Sequence, residues 1–301
     1  MTTALIQHLA LISESKRVDI KELAIVSAAL QKQVMRDLAP VWGVNATVDA
    51  FFQLEDVPPG YWPMIVMDNI GFSAAGIHLD EDGQPFSLIA ASDDNDVWSL
   101  TASHECLEML VDPFGDRLVP GDSPKPDQGR VLFLVEVCDP SEASTFGYTS
   151  NGVLVSDFYT PRFFDPIVSS GVQYSFTGAI SEPRDVLPGG YLSWLEPSTR
   201  HWWQEIWFTG NQSTFRDLGP LSAANGSFRS QIDRLTANDT YKAIKPGRKD
   251  ASAAGLTAAI VHQSSNAKAE NLRKQIDKIL GKSNAQPDAG STPHRRSPGR
   301  A

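Results

Sequence analysis

Thr101-Ala-Ser-His-Glu-Cys-Leu-Glu-Met-Leu-Val-Asp-Pro113 holds the residues best suited to chemistry, with His104-Glu105-Cys106-Leu107-Glu108 at its centre. The stretch reads as a helix that ends near Asp112-Pro113. On an α-helix, residues four apart stand one turn above each other on the same face. His104 and Glu108 can therefore hold one metal ion from one side. Glu105 points to the neighbouring flank, where it can take a proton from a metal-bound water and pass it to a leaving group. An imidazole with carboxylates suits zinc or another divalent cation.

A hydrolytic zinc site needs three protein ligands and an open position for water. The third ligand is expected from beyond the helix. Glu136, in Val135-Glu-Val-Cys-Asp-Pro140, is the first candidate. An acid inside an apolar run is costly unless it is paired or metal-bound. Asp139 competes for the same place. If it is not a ligand, it can accept the other ring N–H of His104 and fix its tautomer. Asp112, two turns after His104, is a further supporting candidate. A His–Glu–Glu set with a divalent ion carries a net charge near zero, which lowers Lewis acidity and leaves a different metal or a structural role open. Tyr148, Tyr159 and His201 are available to stabilise a transition state, and their spacing selects none of them. His78 reads as a hairpin residue and Trp202, Trp203 and Trp207 as core. Cys106 and Cys138 read as small buried side chains, not thiolate ligands.

Several elements must position these residues. Apolar residues from Val18 to Leu38 recur at helical spacing, so residues 19–42 read as a helix with Asp19 as N-cap, stopped near Pro40 and Gly43. Ala46–Leu54 and Trp62–Met67 read as strands. Ala75–Leu79 and Pro85–Ala91 flank Asp80-Glu-Asp-Gly83, a hairpin signal, and the hairpin is expected to form the rim of the metal cleft. The acids Asp93-Asp-Asn-Asp96 suit the start of the following helix, and they do not fit an EF-hand loop. Arg130–Cys138 reads as a strand or a short buried helix. Gly152–Asp157 reads as a further strand, and residues 170–220 as β-hairpins and loops closing the domain.

The 301 residues allow one large domain or two small ones. The net charge of −10 hides an asymmetry: residues 242–301 carry 12 Lys/Arg against 4 Asp/Glu, or +8, which leaves −18 on the rest. An acidic body with a basic tail excludes the pattern of a nucleic-acid-binding domain, whose basic charge lies on the folded surface. No run of about 18 apolar residues predicts a membrane span. The N-terminal stretch lacks a secretory pattern, and the two cysteines make no disulfide scaffold, so a cytoplasmic location is expected.

With its elements in this order, the chain resembles the zincin metallopeptidases. The likeness is carried by Gln31-Lys-Gln-Val-Met-Arg-Asp-Leu-Ala-Pro-Val-Trp-Gly43, two strands, an edge hairpin and then Ser103-His-Glu-Cys-Leu-Glu-Met-Leu-Val-Asp-Pro113. The downstream Glu136 makes it more similar to the gluzincin branch. The chain is also similar to uncharacterised bacterial proteins with S-H-E-x-L-E-M-L-x-D-P followed by E-V-C-D-P. The resemblance covers about residues 20–210. It implies an α+β domain with a mixed sheet, an active-site helix and an edge strand that binds extended peptide, with His104 as a ligand and Glu105 as the base. The chain departs from the family at Glu108, where the zinc motif has a second His. The resulting expectation is a zincin-like domain over 1–220. Residues 221–301 form a flexible, basic, low-complexity tail that can be removed without unfolding, with a short helix near 268–281. The expected function is a metal-dependent hydrolase, a zinc peptidase acting on a peptide or protein, with His104, Glu108 and Glu136 or Asp139 as ligands. The rivals are a non-catalytic metal-binding or assembly protein on the same fold, a phage-associated one included, and a structural protein whose acids are only solvated.

Overall fold

A computed structural model describes residues 6–71, 74–81 and 83–244. The first sheet comprises β1 (Ile6–Ser13), β2 (Asn45–Phe51), β3 (Tyr61–Met67), β4 (Gly76–Glu81) and β5 (Gln84–Ala90), in the order β2-β1-β3-β5-β4. The ladder is parallel from β2 through β5, and β4 closes one edge antiparallel to β5. Parallel strands covered on both faces read as continuous apolar runs. β1 is such a strand, with Leu9, Ala10, Leu11 and Ile12 fully buried. The sequence reading assigns it no element, because a strand buried on both faces has no alternation to detect.

Helix α1 (Ile20–Gln33) runs through a wider π-type turn, Val34–Leu38, into the short α2 (Ala39–Trp42). Asp19 caps it, accepting from the Lys21 and Glu22 amides, and Gly43 ends it at φ 70°. The expected helix over 19–42 is therefore present, with a change of pitch inside it. Helix α3 (Asn95–Val111) carries the His-Glu motif, and Asp94 caps it by accepting from the Asp96 amide. Every residue from Trp98 to Val111 is buried. A helix covered all round belongs to the interior, so its ionisable residues cannot be dismissed as a solvated face.

A second sheet holds β6 (Leu118–Asp122) and β7 (Arg130–Leu134), with the small hairpin β8 (Tyr148–Ser150) and β9 (Val153–Val155) following in the chain. Its other strands are β10 (Tyr191–Glu196), β11 (His201–Ile206) and β12 (Thr214–Gly219), and its order is β12-β11-β10-β7-β6, antiparallel throughout. The fold is thus a mixed α/β arrangement with one mixed and one antiparallel sheet. The ambiguous 130–138 run resolves into strand over Arg130–Leu134. Val135–Cys138 then leaves the ladder, and Asp139–Ser141 makes a 3-10 turn.

A buried hydrogen-bond network fixes α3 against its neighbours. The Ser103 hydroxyl donates to Gln33 Oε1 at 2.8 Å and accepts from the Ser156 amide at 2.8 Å, while Gln33 Nε2 donates to the Ser156 carbonyl at 3.0 Å. Folded structure continues past the expected boundary at 220. Helix α4 (Phe228–Ile244) follows, with Arg229, Ile232 and Asp233 buried. Phe228 packs at a tilt against Trp202, with ring centres 4.8 Å apart, and Ile232 joins Leu134 and Trp202 in a small apolar cluster. The expected short helix near 268–281 lies outside the described residues. No helix among the described residues is long and apolar enough to cross a membrane.

Candidate metal centre

Helix α3 brings His104 and Glu108 onto one face, as their spacing requires. His104 Nε2 stands 3.1 Å from Glu108 Oε2 and 3.3 Å from Asp139 Oδ1. In a tetrahedral site with bonds of about 2.0–2.1 Å, ligand atoms stand roughly 3.3 Å apart. Each of the two distances therefore suits a pair of ligands on one ion. Asp139 approaches the same ring nitrogen as Glu108. The alternative in which it binds the other nitrogen and only fixes the tautomer does not describe this geometry. Glu136 brings a carboxylate within 4.8 Å of those of Glu108 and Asp139. The 3-10 turn that places Asp139 packs under Gly190, where a Cβ would stand 2.5 Å from the Pro140 carbonyl oxygen.

Three further residues complete the cluster, and the sequence reading does not select them. His78, on β4, is buried, with Nδ1 3.5 Å from Glu105 Oε2 and 3.9 Å from Glu108 Oε2. Glu142 is buried beside His104 and Asp139. Arg229, from the first turn of α4, reaches in among the acids. Its Nη1 lies 2.7 Å from Asp139 Oδ2 and 3.1 Å from Glu136 Oε2, its Nη2 3.3 Å from Glu108 Oε2, and its Nε 2.9 Å from Asp233 Oδ2.

Charge decides what this arrangement asks for. Glu105, Glu108, Asp112, Glu136, Asp139, Glu142 and Asp233 are all buried, and they gather around Arg229, His78 and His104. Seven acids thus face three bases, even with both imidazoles protonated. Burial raises Glu136 and Glu142 well above the usual carboxylate range, and in Glu136 it outweighs the opposing Arg229. Burial also raises Asp139 against Arg229, and it pushes Asp233 up to about 6. Burial would raise Glu108 too, but His104 and Arg229 beside it hold it below its ordinary value. Burial works against the His104 imidazolium, yet Glu108 and Asp139 carry its pKa well above the ordinary value. A divalent cation bound here would offset the crowding of acids that drives these shifts. Both oxygens of Glu136, and one each of Glu105, Glu108, Asp139 and Glu142, lack a hydrogen-bond partner although buried. Such atoms are costly unless something else satisfies them.

The site opens onto a small cavity of about 50 Å³ bordered by Gly76, Thr101, His104, Glu105, Tyr191 and Arg229. That is room for an ion and a few waters. β4 reaches this rim, as expected of the hairpin, and both α3 and α4 lie against it. Its approach depends on Gly76, where a Cβ would stand 2.5 Å from Glu105 Oε1 and 2.6 Å from Thr101 Cγ2.

The remaining candidates have other partners. The Asp112 carboxylate accepts from the Asp116 and Arg117 amides at 3.2 and 2.9 Å. Tyr148 donates to Asp37 at 2.8 Å, and His201 pairs with Asp217 at 2.9 Å. Tyr159 is fully buried with its hydroxyl unpartnered, and burial followed by Glu136 raises its pKa well above the usual phenol. Cys138 lies near His104 and Glu108 but donates to the His104 carbonyl at 3.8 Å. Burial raises both thiols, Cys106 to about 12. At pH 8 a thiol of that pKa is thiolate in only about one molecule in ten thousand. The native protein should therefore react with Ellman's reagent far more slowly than the urea-unfolded chain. Rapid native labelling of either cysteine would contradict this burial.

Compared with protein-family models, with curated proteins and with solved structures, the chain matches none.

Proposed function

We propose that this protein is a divalent-metal-dependent hydrolase, zincin-like in its domain, with zinc the first candidate ion. His104, Glu108 and Asp139 hold the ion, and Glu136 is available as a further ligand. The observation that carries the reading is the convergence of two buried carboxylates on one ring nitrogen of His104, at 3.1 and 3.3 Å. Glu105 is the general base: it follows His104 on α3, is buried, and borders the cavity through which water reaches the site. The metal supplies an acidic water and polarises the scissile bond. Four parallel strands with an antiparallel edge strand beside the metal helix support the zincin-like assignment. A peptide or protein substrate is inferred from that resemblance alone, because helix α4 packs against β4, the edge strand that would have to receive an extended peptide.

Metal analysis of the purified full-length chain tests the reading. The expected result is a stoichiometric divalent ion at the His104 site, so that His104→Ala binds one ion fewer per chain. Glu105→Gln should keep the ion and lower hydrolysis of an unstructured protein substrate by about 10²–10⁴-fold. Failure to retain zinc, manganese or cobalt after dialysis would overturn it. A second reading, a non-catalytic metal or assembly site, is favoured by the ion pairs of Arg229 with three of the same acids. It predicts bound metal with no turnover for Glu105→Gln to remove.

A further inference from the structure

We propose that His78, Glu105 and Glu108 form a second divalent-cation site, which shares the Glu108 carboxylate with the His104 site. The two together make a dinuclear centre. This inference rests on the proposed function only through the shared Glu108.

The His78 ring is anchored at one nitrogen. Its Nε2 lies 3.2 Å from the Asp112 carbonyl oxygen, which can only accept. Nε2 therefore carries the proton, and in the neutral ring Nδ1 presents a lone pair. A backbone carbonyl holding one ring N–H is the usual support of a metal-binding histidine. Nδ1 faces Glu105 Oε2 at 3.5 Å and Glu108 Oε2 at 3.9 Å. Side-chain exposure is 1% for His78, 3% for Glu105 and 0% for Glu108, so water does not reach between them. None of the three atoms has a hydrogen-bond partner. Glu108 Oε2 is also ion-paired to His104 and Arg229, but His78 Nδ1 and Glu105 Oε2 face each other in a dry site as acceptors, and a cation between them satisfies both.

The distances fit. Ligand atoms around an ion with bonds of about 2.0–2.2 Å stand roughly 3 to 4.2 Å apart, depending on the angle they subtend. The rival occupant is a proton on Nδ1. It would leave the N–H 3.5 Å from the nearest carboxylate oxygen, beyond the normal range of a hydrogen bond.

The same atoms explain how Glu105 can serve both sites. Its Oε2 faces His78, while its Oε1 lies against Gly76 on the cavity wall. Coordination through Oε2 alone leaves Oε1 to accept a proton from water in the cavity. A second ion held by His78, Glu105 and Glu108 would add Lewis acidity beside that water.

The full-length chain, stripped with chelator and reloaded with Mn²⁺ alone or with Zn²⁺ alone, provides the test. Equilibrium dialysis should find two ions per chain, and the Mn²⁺ form should give the multiline electron paramagnetic resonance spectrum of an exchange-coupled pair. His78→Gln keeps a donor for the Asp112 carbonyl but removes the Nδ1 lone pair. It should bind one ion, uncoupled, while its thermal midpoint in chelator stays that of the unmodified chain. His104→Ala should also bind one ion. Should His78→Gln not fold, coupling in the unmodified chain decides. One uncoupled ion, kept in His78→Gln and lost in His104→Ala, overturns the second site and leaves the proposed function standing. Two ions retained in His78→Gln also overturn it. No ion of either kind overturns both.

Discussion

Arg229→Met should destabilise the metal-free protein by about 3–5 kcal/mol, the usual cost of removing one partner from a buried ionic network. The guanidinium is almost fully buried and is the only Arg or Lys side chain among the described residues ion-paired to Glu108, Glu136 and Asp139. Methionine fills similar volume without charge, so α4 keeps its packing while the acids lose their counter-ion. The measurement is a urea midpoint in chelator at neutral pH. Adding a divalent cation should return most of the loss, since a ligand at about 1,000 times its Kd stabilises by about 4.1 kcal/mol. Arg229→Lys should fall between the two, because an ammonium cannot span three carboxylates as a planar fork does. A midpoint for Arg229→Met equal to that of the unmodified chain would show that the acids are already neutral and need no cation.

His104 and Glu108 are legible in the sequence because the α-helix period places them, and Glu136 because an acid inside an apolar run advertises a partner; Asp139, only its competitor in the sequence, is the one that stands 3.3 Å from His104. His78 is not legible. The Asp-Gly turn shows the hairpin, but which face a strand residue takes depends on register, and a slip of one residue reverses it. Arg229 is hidden by composition. The region past 222 is polar and basic, and that average masks a short signal: Ser227 precedes Phe228, Ile232 and Leu235 at helical spacing, with Arg229 and Asp233 four apart. The Ser227 hydroxyl does cap the helix, accepting from the Ser230 amide at 3.1 Å. β1 is illegible for the opposite reason. Its buried centre, Leu9–Ile12, is a short unbroken apolar run, and nothing in the pattern separates a doubly covered strand from a buried helical turn.

Truncation after Ser222 should lower the thermal midpoint by about 10 °C or more, whereas composition alone predicts little change. The truncated chain loses Ile232 from its cluster with Leu134 and Trp202, and Phe228 from the Trp202 ring. Burying each such side chain stabilises by about 1.5–3 kcal/mol. In a chain of this size each kcal/mol moves the midpoint by about 2–4 °C. The origin of the loss differs from that in Arg229→Met. Removing α4 exposes Trp202 and Leu134 and also admits water to Glu108, Glu136 and Asp139, so those carboxylates are hydrated instead of stranded. A divalent cation should therefore rescue Arg229→Met strongly and the truncated chain only in part, because no ion replaces apolar packing. Calorimetry of both variants, with chelator and with saturating Zn²⁺, separates the two contributions. If the ion restores both midpoints equally, α4 contributes only its charge, and the apolar contacts of Phe228 and Ile232 add nothing to stability.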